Sequence, residues 1–357
     1  MPQVNAEDVR AALAKLVDPA IIDGLMVKDG KVQFALKIDP ADAQKMEPVR
    51  KAAEQVVDAL PGVLSVTAVL TAERAMAKGP AAPKTSVSGK PEIPGIRAIV
   101  AVASGKGGVG KSTTAVNLAL GLSSLGMKVG LLDADIYGPS VPRLLGISGK
   151  PTSLDGKRLL PMRNWGIPAM SMGFLVPEDT PMIWRGPMVM SALNQMLRDV
   201  EWGQLDVLIV DMPPGTGDAQ LTMAQSVPLT GAVIVSTPQD IALLDARKGL
   251  NMFRKVDVPV FGIIENMSFF ICPHCGERSD IFSHGGARQT AAELKTDFLG
   301  EIPLHIDIRE TSDDGRPIVM SKPDSPHAKA YLAIAELVAA KIASALAGAT
   351  APRIVIS

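Results

Sequence analysis

Two cysteines with metal-ligand spacing are the residues of this chain most able to do chemistry. Cys272 and Cys275 are the only cysteines among 357 residues, and they stand in the run Cys-Pro-His-Cys-Gly at 272–276. Thiolates at this spacing bind zinc, hold an iron–sulfur cluster or form a redox-active disulfide. The disulfide is the weakest interpretation, because the run does not open the helix of a thioredoxin-like fold. Spacing alone favours zinc and iron–sulfur equally.

The number of thiolates limits how such a metal could be held. Structural zinc sites and iron–sulfur clusters take four protein ligands, and this chain supplies two thiolates. A second copy of the chain could supply the other two for either metal. Zinc could instead be completed within one chain by His274 or His284. The cysteine pair therefore predicts a metal site that two subunits share, or a zinc site in a single subunit.

A glycine-rich run with two lysines predicts binding of nucleotide phosphates. Residues 105–112 read Gly-Lys-Gly-Gly-Val-Gly-Lys-Ser, between an apolar strand at 98–103 and a helix at 111–125. Glycines in this context let backbone N–H groups approach phosphate oxygens, and the helix N-terminus adds partial positive charge. Lys111 should reach the β and γ phosphates of ATP, and Ser112 should supply a hydroxyl ligand to Mg²⁺.

Aspartates follow two further apolar strands, at the edge where ligands meet a parallel sheet. Asp135 comes just after the strand at 129–133, and Asp211 ends the strand at 207–211. An acid at a strand end, downstream of such a phosphate loop, holds Mg²⁺ through water. The glycine-containing run 211–218 is typical of a loop that reorganises when the γ-phosphate leaves.

The elements that must position these residues predict an α/β fold. Fully apolar runs alternate with helical segments from residue 96 onward, which is typical of a parallel sheet buried on both faces. We therefore predict a P-loop NTPase with a mostly parallel β-sheet flanked by helices. The strands are expected at 98–103, 129–133, 207–211, 232–237, 260–265 and near 298–302.

The chain is predicted to contain two domains. They are a small α/β unit at 1–78, a proline-rich linker at 79–95, the ATPase domain at 96–346 and a C-terminal tail at 347–357. In the first unit we expect helices at 6–16 and 49–60, strands at 24–27, 31–38 and 63–70, and a turn at 29–30. In the second we expect a polar turn at 311–315 and an amphipathic helix at 331–346 that packs on the domain.

Composition and charge exclude some classes of partner. A net charge of −1, with 20% charged residues, leaves no overall electrostatic attraction for nucleic acid or an anionic membrane. With 4% aromatic residues, a base-stacking surface is not expected. The polar, acidic start lacks the pattern of a signal peptide. No run of about 18 apolar residues, the length of a membrane-spanning helix, is evident. Two cysteines suit a reducing cytosol. We therefore expect a cytoplasmic protein without nucleic-acid or membrane partners.

Six segments together resemble the Mrp/ApbC-type iron–sulfur cluster carrier proteins. This family belongs to the deviant Walker A, MinD/ParA-like superfamily of P-loop ATPases, which also includes the nitrogenase iron protein. The segments are 105–114, 133–140, 184–187, 211–218, 237–245 and 265–275, within a similarity over nearly all of 96–330. The resemblance implies that ATP binding and hydrolysis accompany the loading and release of a [4Fe–4S] cluster. The cluster would bridge a homodimer and pass from cluster-assembly scaffolds to apo iron–sulfur proteins.

The resemblance also implies roles for individual residues. Cys272 and Cys275 correspond to the cluster thiolates, and Asn266 to an asparagine near the adenine base. Asp135 corresponds to an aspartate that helps to position the attacking water, and Lys106 to a lysine that crosses the dimer interface to the partner's phosphates. The implied catalytic residues are Lys106, Lys111 and Asp135, and the Mg²⁺ ligands are Ser112 and, through water, Asp211. The implied nucleotide-binding residues are Gly105, Lys106, Gly107, Gly108, Val109, Gly110, Lys111, Ser112, Thr113, Asp211 and Asn266.

The first unit resembles the MIP18-like domain found at this place in many such carriers. Because it contains no cysteine, we interpret it as a docking or regulatory domain. Two other functions could use the same parts. A ParA/MinD-like positioning ATPase with a structural zinc site would need a membrane-seeking C-terminal helix or a basic patch, and the tail offers only Arg353. A low-potential electron donor like the nitrogenase iron protein would cycle one electron with ATP.

Overall fold

The computed structural model divides the chain into two compact units, Met1–Ser86 and Val87–Ser357. The described residues are 4–14, 16–28, 31–38, 43–63, 65–72, 92–153, 156, 158–175 and 186–350. The predicted turn at 29–30, most of the predicted linker, residues 184–185 of the run 184–187 and the end of the predicted tail lie outside them.

The first unit is a three-stranded sheet with two helices. Its elements are α1 Ala6–Leu13, β1 Ile22–Lys28, β2 Lys31–Ile38, α2 Ala43–Asp58 and β3 Ser65–Ala72. β1 and β2 pair antiparallel, whereas β2 and β3 pair parallel. The core includes Val9, Leu13, Phe34, Leu36 and Val57. The predicted element order is confirmed, although α2 begins at Ala43 rather than at 49 and contains Pro48, a residue that more often marks a helix start.

The second unit is a nine-stranded sheet flanked by helices. Its strands are β4 Ile99–Ala103, β5 Val129–Asp133, β6 Met162–Asn164, β7 Ile167–Ser171, β8 Val207–Asp211, β9 Gly231–Ser236, β10 Val260–Ile271, β11 Arg278–Ser279 and β12 Phe298–Leu304. Its helices are α3 Lys111–Ser124, α4 Val141–Leu144, α5 Gly186–Arg198, α6 Asp218–Ser226, α7 Asp240–Lys255, α8 Gly286–Glu293, α9 Ile306–Asp313, α10 Ile318–Ser321 and α11 Pro326–Thr350.

The sheet is mostly parallel, as predicted. Its strand order is β11-β10-β9-β4-β8-β5-β7-β6, with β12 also beside β10. Among the described strands of this sheet, β6 pairs antiparallel with β7 and β11 pairs antiparallel with β10. Residues of β4 alternate between two cores, so that Val100 and Val102 lie with α3 and α11 residues while Ala101 and Ala103 lie with α5 and α7 residues. Apolar side chains on both faces explain why these strands read as continuous apolar runs.

The strand order brings three predicted functional segments to one edge of the sheet. β8 lies between β4 and β5, and Asp211 is opposite both Val102 and Asp133 in register. The loop after β4, the residues after β5 and the loop after β8 therefore leave the sheet side by side. Ligands of open α/β sheets bind at this carboxyl edge.

Some elements differ from the sequence expectations. β6 and β7 were not predicted, and β10 continues to Ile271, well beyond 265. The predicted turn at 311–315 is wrong in its first part, since α9 extends to Asp313. Thr311 and Ser312 fit into the helix because their hydroxyls donate to the carbonyls of Asp307, at 2.7 Å, and Ile308, at 2.6 Å.

The helix α11 is the longest element of the second unit. Within the described part of the chain, Pro326–Gly348 is the one helix long and apolar enough to cross a membrane by length and composition, with a mean hydropathy of 1.6. The core helix of a globular domain passes the same test, but such a helix is mostly buried, whereas 28% of the tested window of α11 is buried. Here Tyr331, Ile334 and Ala335 are buried with residues of α3, which agrees with the predicted packing of this helix on the domain.

Candidate nucleotide and metal sites

A cleft of about 510 Å³ opens at the carboxyl edge of β4, β5 and β8. Of the predicted site residues, its lining includes Lys111, Ser112, Thr113 and Asp135. The cleft is therefore built by the segments that the sequence analysis assigned to nucleotide binding. A volume of several hundred cubic ångströms is typical of a small-molecule site.

The phosphate loop requires glycine at both of its ends. A Cβ at Gly105 would lie 2.1 Å from the carbonyl carbon of Asp245, so α7 leaves room only for glycine there. Gly110 has a φ of 78° and precedes α3, where a left-handed residue without a side chain is needed. The loop thus delivers the first N–H groups of α3 into the cleft.

Lys111 lies at the centre of the predicted site. Its Nζ is 2.5 Å from Oδ1 of Asp211 and 3.8 Å from Oδ2 of Asp135, and it donates to Oγ of Ser112 at 3.3 Å. The side chains of Lys111 and Asp211 are 6% and 0% exposed. The structure therefore brings together four residues from three segments that the sequence analysis placed at one site.

Asp211 retains unused coordinating capacity. Among the described residues its Oδ2 is buried and has no hydrogen-bond partner. A hard divalent cation takes oxygen ligands, and Mg²⁺ usually keeps several waters and one or two protein oxygens. The Ser112 hydroxyl and the Asp211 carboxylate beside it are donors of this kind, so the residues fit Mg²⁺.

Asp133 anchors the segment that carries Asp135. Its Oδ2 accepts hydrogen bonds from the backbone N–H groups of Ser140 and Val141, both at 3.1 Å, and from Oγ of Ser171 at 3.0 Å. Its Oδ1 accepts the N–H of Asp135 at 3.1 Å. The sequence places Asp133 at the ligand-binding edge of the sheet, but sequence reasoning gave this residue no role of its own.

Burial governs the protonation of these aspartates. Loss of hydration raises the pKa of Asp211 and of Asp135, and the neighbouring Lys111 ammonium opposes this change in both. Burial, followed by the charge of Asp211, also raises the pKa of Asp133. Lys111 thus supplies the positive charge that allows several carboxylates to share one buried site.

Lys106 differs from Lys111 in its surroundings. Its backbone carbonyl accepts a hydrogen bond from Oγ of Ser104 at 2.8 Å, which fixes the start of the loop. Its side chain is partly exposed, and it forms no ion pair with any residue that the structure describes. The structure does not bring this ammonium group to Asp135 or Asp211.

The outer wall of the cleft contains residues to which the sequence analysis gave no site role, although the family resemblance implies that the counterpart of 311–315 lies near the nucleotide. Ser312 and Asp313 at the end of α9 line the cleft, as does Arg143 of α4. Nη2 of Arg143 lies 3.9 Å from Oδ1 of Asp313. The polar run 311–315 was the available signal, but its position depends on how α9 follows β12.

Asn266 is part of the support of the phosphate loop. Its Nδ2 donates to the backbone carbonyl of Val109 at 2.8 Å, and the residue is 6% exposed. Because Asn266 lies in β10, this contact joins the loop to the strand that leads to the cysteines. Its expected position near the adenine base stays a prediction.

The cysteines lie at an exposed hairpin between β10 and β11. Cys272 and Gly276 close the turn, since the N–H of Gly276 donates to the carbonyl of Cys272 at 2.9 Å and Gly276 has a φ of 73°. Both thiols are free, with Cys272 partly exposed and Cys275 exposed. Backbone N–H groups of Cys275 and His274 lower the pKa of the Cys272 thiol. N–H groups directed at sulfur favour a thiolate, the form that binds metal.

His284, a candidate fourth zinc ligand, is engaged elsewhere. Its Nε2 lies 2.8 Å from Oε2 of Glu301, and its ring packs edge-on against Phe269. His274 lies inside the hairpin itself and is exposed. The hairpin therefore presents two thiols and one imidazole to its surroundings.

Family comparisons match both units. A family model described as ParA, NUBPL iron-transfer P-loop NTPase, matches residues 95–339. A second model, described as an iron–sulfur cluster assembly protein, matches residues 6–69. The two matches follow the two units of the structure.

Several characterised proteins are similar over most of their length. An iron–sulfur cluster carrier protein of Synechocystis sp. is 47% identical over 335 residues, covering 92% of this chain and 93% of that protein. An iron–sulfur cluster carrier protein of Escherichia coli K12 is 55% identical over 72% of this chain and 70% of that protein. The iron–sulfur cluster transfer protein NUBPL of Dictyostelium discoideum is 59% identical over 68% of this chain and 76% of that protein.

Solved structures place the second unit in a known fold. A nucleotide-binding protein of Archaeoglobus fulgidus in complex with ADP is 41% identical, with a TM-score of 0.57 over 65% of this chain and 90% of that one. The septum site-determining protein MinD of Pyrococcus horikoshii with Mg-ADP is 23% identical, with a TM-score of 0.50 over 68% and 95%. The second similarity is one of fold alone.

Proposed function

Because this chain belongs to the NUBPL iron-transfer P-loop NTPase family, we propose that two copies of it bind one [4Fe–4S] cluster at their interface and carry this cluster as cargo. It is an iron–sulfur cluster carrier with a P-loop ATPase site, as its relatives' names indicate. The observation that supports the finer proposal most is the exposed hairpin that presents Cys272 and Cys275 and no further thiol.

Ligand number supports the shared site. A [4Fe–4S] cluster is held by four thiolates, and one chain supplies two. Residues 273–280 are all exposed and Cys272 is partly exposed, so a second copy could approach both sulfurs. The outcome would be one cluster for two chains, at the axis of a homodimer.

In the proposed dimer, each nucleotide site would combine residues of its own chain with Lys106 of the other copy. Lys111 lies against Asp211 at 2.5 Å, and the phosphates of ATP would compete for this ammonium. Asp135 would orient the attacking water, and Lys106 would reach the phosphates of the partner's nucleotide. Mg²⁺, when bound by Ser112 and by Asp211 through water, supplies further positive charge to the phosphates. Positioning and charge neutralisation are what phosphoryl transfer requires.

Coupling between the two sites is also part of the proposal. β10 carries Asn266 on the phosphate loop and ends one residue before Cys272. Movement of the loop during the ATP cycle would therefore reach the hairpin and change how firmly the cluster is held. Recipients would be apo iron–sulfur proteins. The protein would work in a reducing compartment such as the cytoplasm, in which both thiols stay free. The first unit would bind partner proteins.

The test is anaerobic reconstitution with iron and sulfide, with analysis of metal content and mass in solution. We expect about four iron and four sulfide per two chains, in a dimer, and loss of the cluster in Cys272→Ala and in Cys275→Ala. His274→Ala is the matched control, because it alters the same turn and removes no thiolate; it should keep the cluster. A complete iron centre in a single chain, or a zinc ion held by a monomer, would refute the proposal.

A further inference from the structure

A second group of metal-binding side chains lies outside both sites described above. His305 follows β12, Asp307 lies in the first turn of α9, and His327 is the second residue of α11. Each offers one ligand atom, and these atoms all lie within 4.8 Å of one another. We propose that His305, Asp307 and His327 bind a divalent transition-metal ion of the zinc class.

His327 provides the observation that points to a ligand. It is 7% exposed, and in the described part of the chain its Nδ1 is buried without a hydrogen-bond partner. A buried polar atom left unpaired is unfavourable, and native structures rarely leave one without a partner. A metal ion would satisfy this nitrogen. The ring lies 4.0 Å from the His305 ring, centroid to centroid, so the two imidazoles are already adjacent.

Asp307 is oriented for the same purpose. Its Oδ1 is held by Nζ of Lys322 at 2.9 Å, and its Oδ2 lies 3.9 Å from Nδ1 of His305. One carboxylate oxygen is thus fixed by a partner outside the group while the other faces an imidazole. Outer hydrogen bonds of this kind set the direction of a metal-binding carboxylate.

Two features of this group disfavour binding of a cation. The N–H of Asp307 donates to Nδ1 of His305 at 3.1 Å, so a metal on this nitrogen would replace that bond. The Lys322 ammonium and the N-terminal ends of α9 and α11 are positive, and the Asp307 carboxylate offsets them. In a tetrahedral site, metal–ligand bonds of about 2.0–2.2 Å place the ligand atoms about 3.3–3.6 Å apart. Ligand atoms up to 4.8 Å apart must therefore approach one another by roughly 1.2–1.5 Å to share one ion.

The ligand types select the class of ion. Two imidazoles and one carboxylate suit zinc and its transition-metal neighbours, whereas Mg²⁺ and Ca²⁺ prefer oxygen alone. Three protein ligands leave a fourth position for water. The other such group, Glu265, His284 and Glu301, is less suited. Both oxygens of Glu265 already accept hydrogen bonds, from Ser268, Gly285 and Ala287.

The position of the site suggests what the ion would do. It would join the start of α9 to the start of α11, and the far end of α9 carries Ser312 and Asp313 in the wall of the nucleotide cleft. Binding would fix a short helix whose other end touches the nucleotide site. Binding of the ion would therefore stabilise the second unit.

The test uses the full chain with Cys272→Ser and Cys275→Ser, so that the hairpin cannot take the probe. Zn²⁺ is added and bound metal is measured after gel filtration; Co²⁺ in its place reports imidazole ligation by visible absorption. We expect one ion per chain, with the affinity at least about 10-fold lower in His327→Leu and in Asp307→Asn. The chain has four histidines, and His274→Ala and His284→Ala are the matched controls that should bind as the parent does.

Thermal unfolding separates ligation from a packing role. Zn²⁺ at about a hundredfold excess over its Kd should raise the melting temperature of the parent by roughly 5 °C and leave that of His327→Leu unchanged. Without Zn²⁺, His327→Leu should be as stable as the parent, since an apolar side chain leaves no buried nitrogen unpaired. Absence of bound zinc in the parent, or loss of zinc in His284→Ala but not in His327→Leu, would overturn the proposal.

Discussion

The side-chain amide of Asn266 donates a hydrogen bond of 2.8 Å to the backbone carbonyl of Val109, across 157 positions of the sequence. The first residue is in β10 and the second in the phosphate loop. Directly after this contact, Met267 has a φ of 55°, and the pairing of β10 with β12 shifts register before Phe270. The strand is therefore irregular between the phosphate loop and the cysteine hairpin, which is where a change in one could alter the other.

Removing this contact tests the coupling. Asn266→Ala should weaken ATP binding about 10-fold, because the loop loses one buried hydrogen bond and its support. ATP should then no longer change the rate of cluster transfer to an apo-protein, while the amount of cluster bound stays at the wild-type level. Ser268→Ala is the matched control, since Ser268 bonds Glu265 and Glu301 rather than the loop. Unchanged nucleotide affinity and unchanged ATP dependence in Asn266→Ala would contradict this role.

The pairing of Lys111 with Asp211 predicts that a second substitution can restore the stability of the protein without restoring its ATP hydrolysis. Lys111→Ala should abolish ATP hydrolysis and lower the free energy of unfolding by about 3 kcal/mol, because a fully buried carboxylate loses its counter-charge. The double variant Lys111→Ala with Asp211→Asn should recover most of that stability and remain inactive. Urea unfolding and phosphate release measure the two effects. A double variant no more stable than Lys111→Ala would show that charge burial is not the cause.

The proximity of Lys111, Asp135 and Asp211 could be predicted from the sequence for a simple reason. Each follows or ends an apolar strand, and the carboxyl ends of neighbouring parallel strands meet at one edge. The strand at 167–171 could not be predicted in the same way. It is short and contains Pro168, a residue that argues against a strand inside a sheet. Its Ser171 nevertheless bonds Asp133.

Contacts between residues that are far apart in the sequence could not be predicted from it either. The bond from Asn266 to Val109 depends on β10 continuing past 265, and an apolar run gives no sign of where a strand will pass a loop. His305 and His327 lie in different segments of the sequence, yet the fold brings their ring centroids to 4.0 Å. Such pairs depend on how helices pack rather than on local pattern.

The hydrogen bonds to Asp133 predict that the segment after β5 becomes less ordered when this carboxylate is removed. Asp133→Ala should lower the free energy of unfolding by more than about 2 kcal/mol, since the N–H groups of Ser140 and Val141 and the hydroxyl of Ser171 lose their shared acceptor. Amide exchange in 134–141 should speed up, and ATP hydrolysis should fall with it. Ser171→Ala removes one donor and should cost about 1 kcal/mol. Equal stability losses in the two variants would argue against the anchoring role.

The partly exposed position of Lys106 leads to a test of the trans arrangement that needs no structure of the dimer. If each site uses its own Lys111 and the partner's Lys106, then Lys106→Ala should bind ATP and fail to hydrolyse it. The variant Lys111→Ala with Asp211→Asn should also be inactive. In a mixture of the two, each mixed dimer has one complete site, and random exchange makes half of the dimers mixed. Phosphate release should then return to about a quarter of the wild-type rate. If Lys106 acts within its own chain, every site lacks one lysine and the mixture stays inactive.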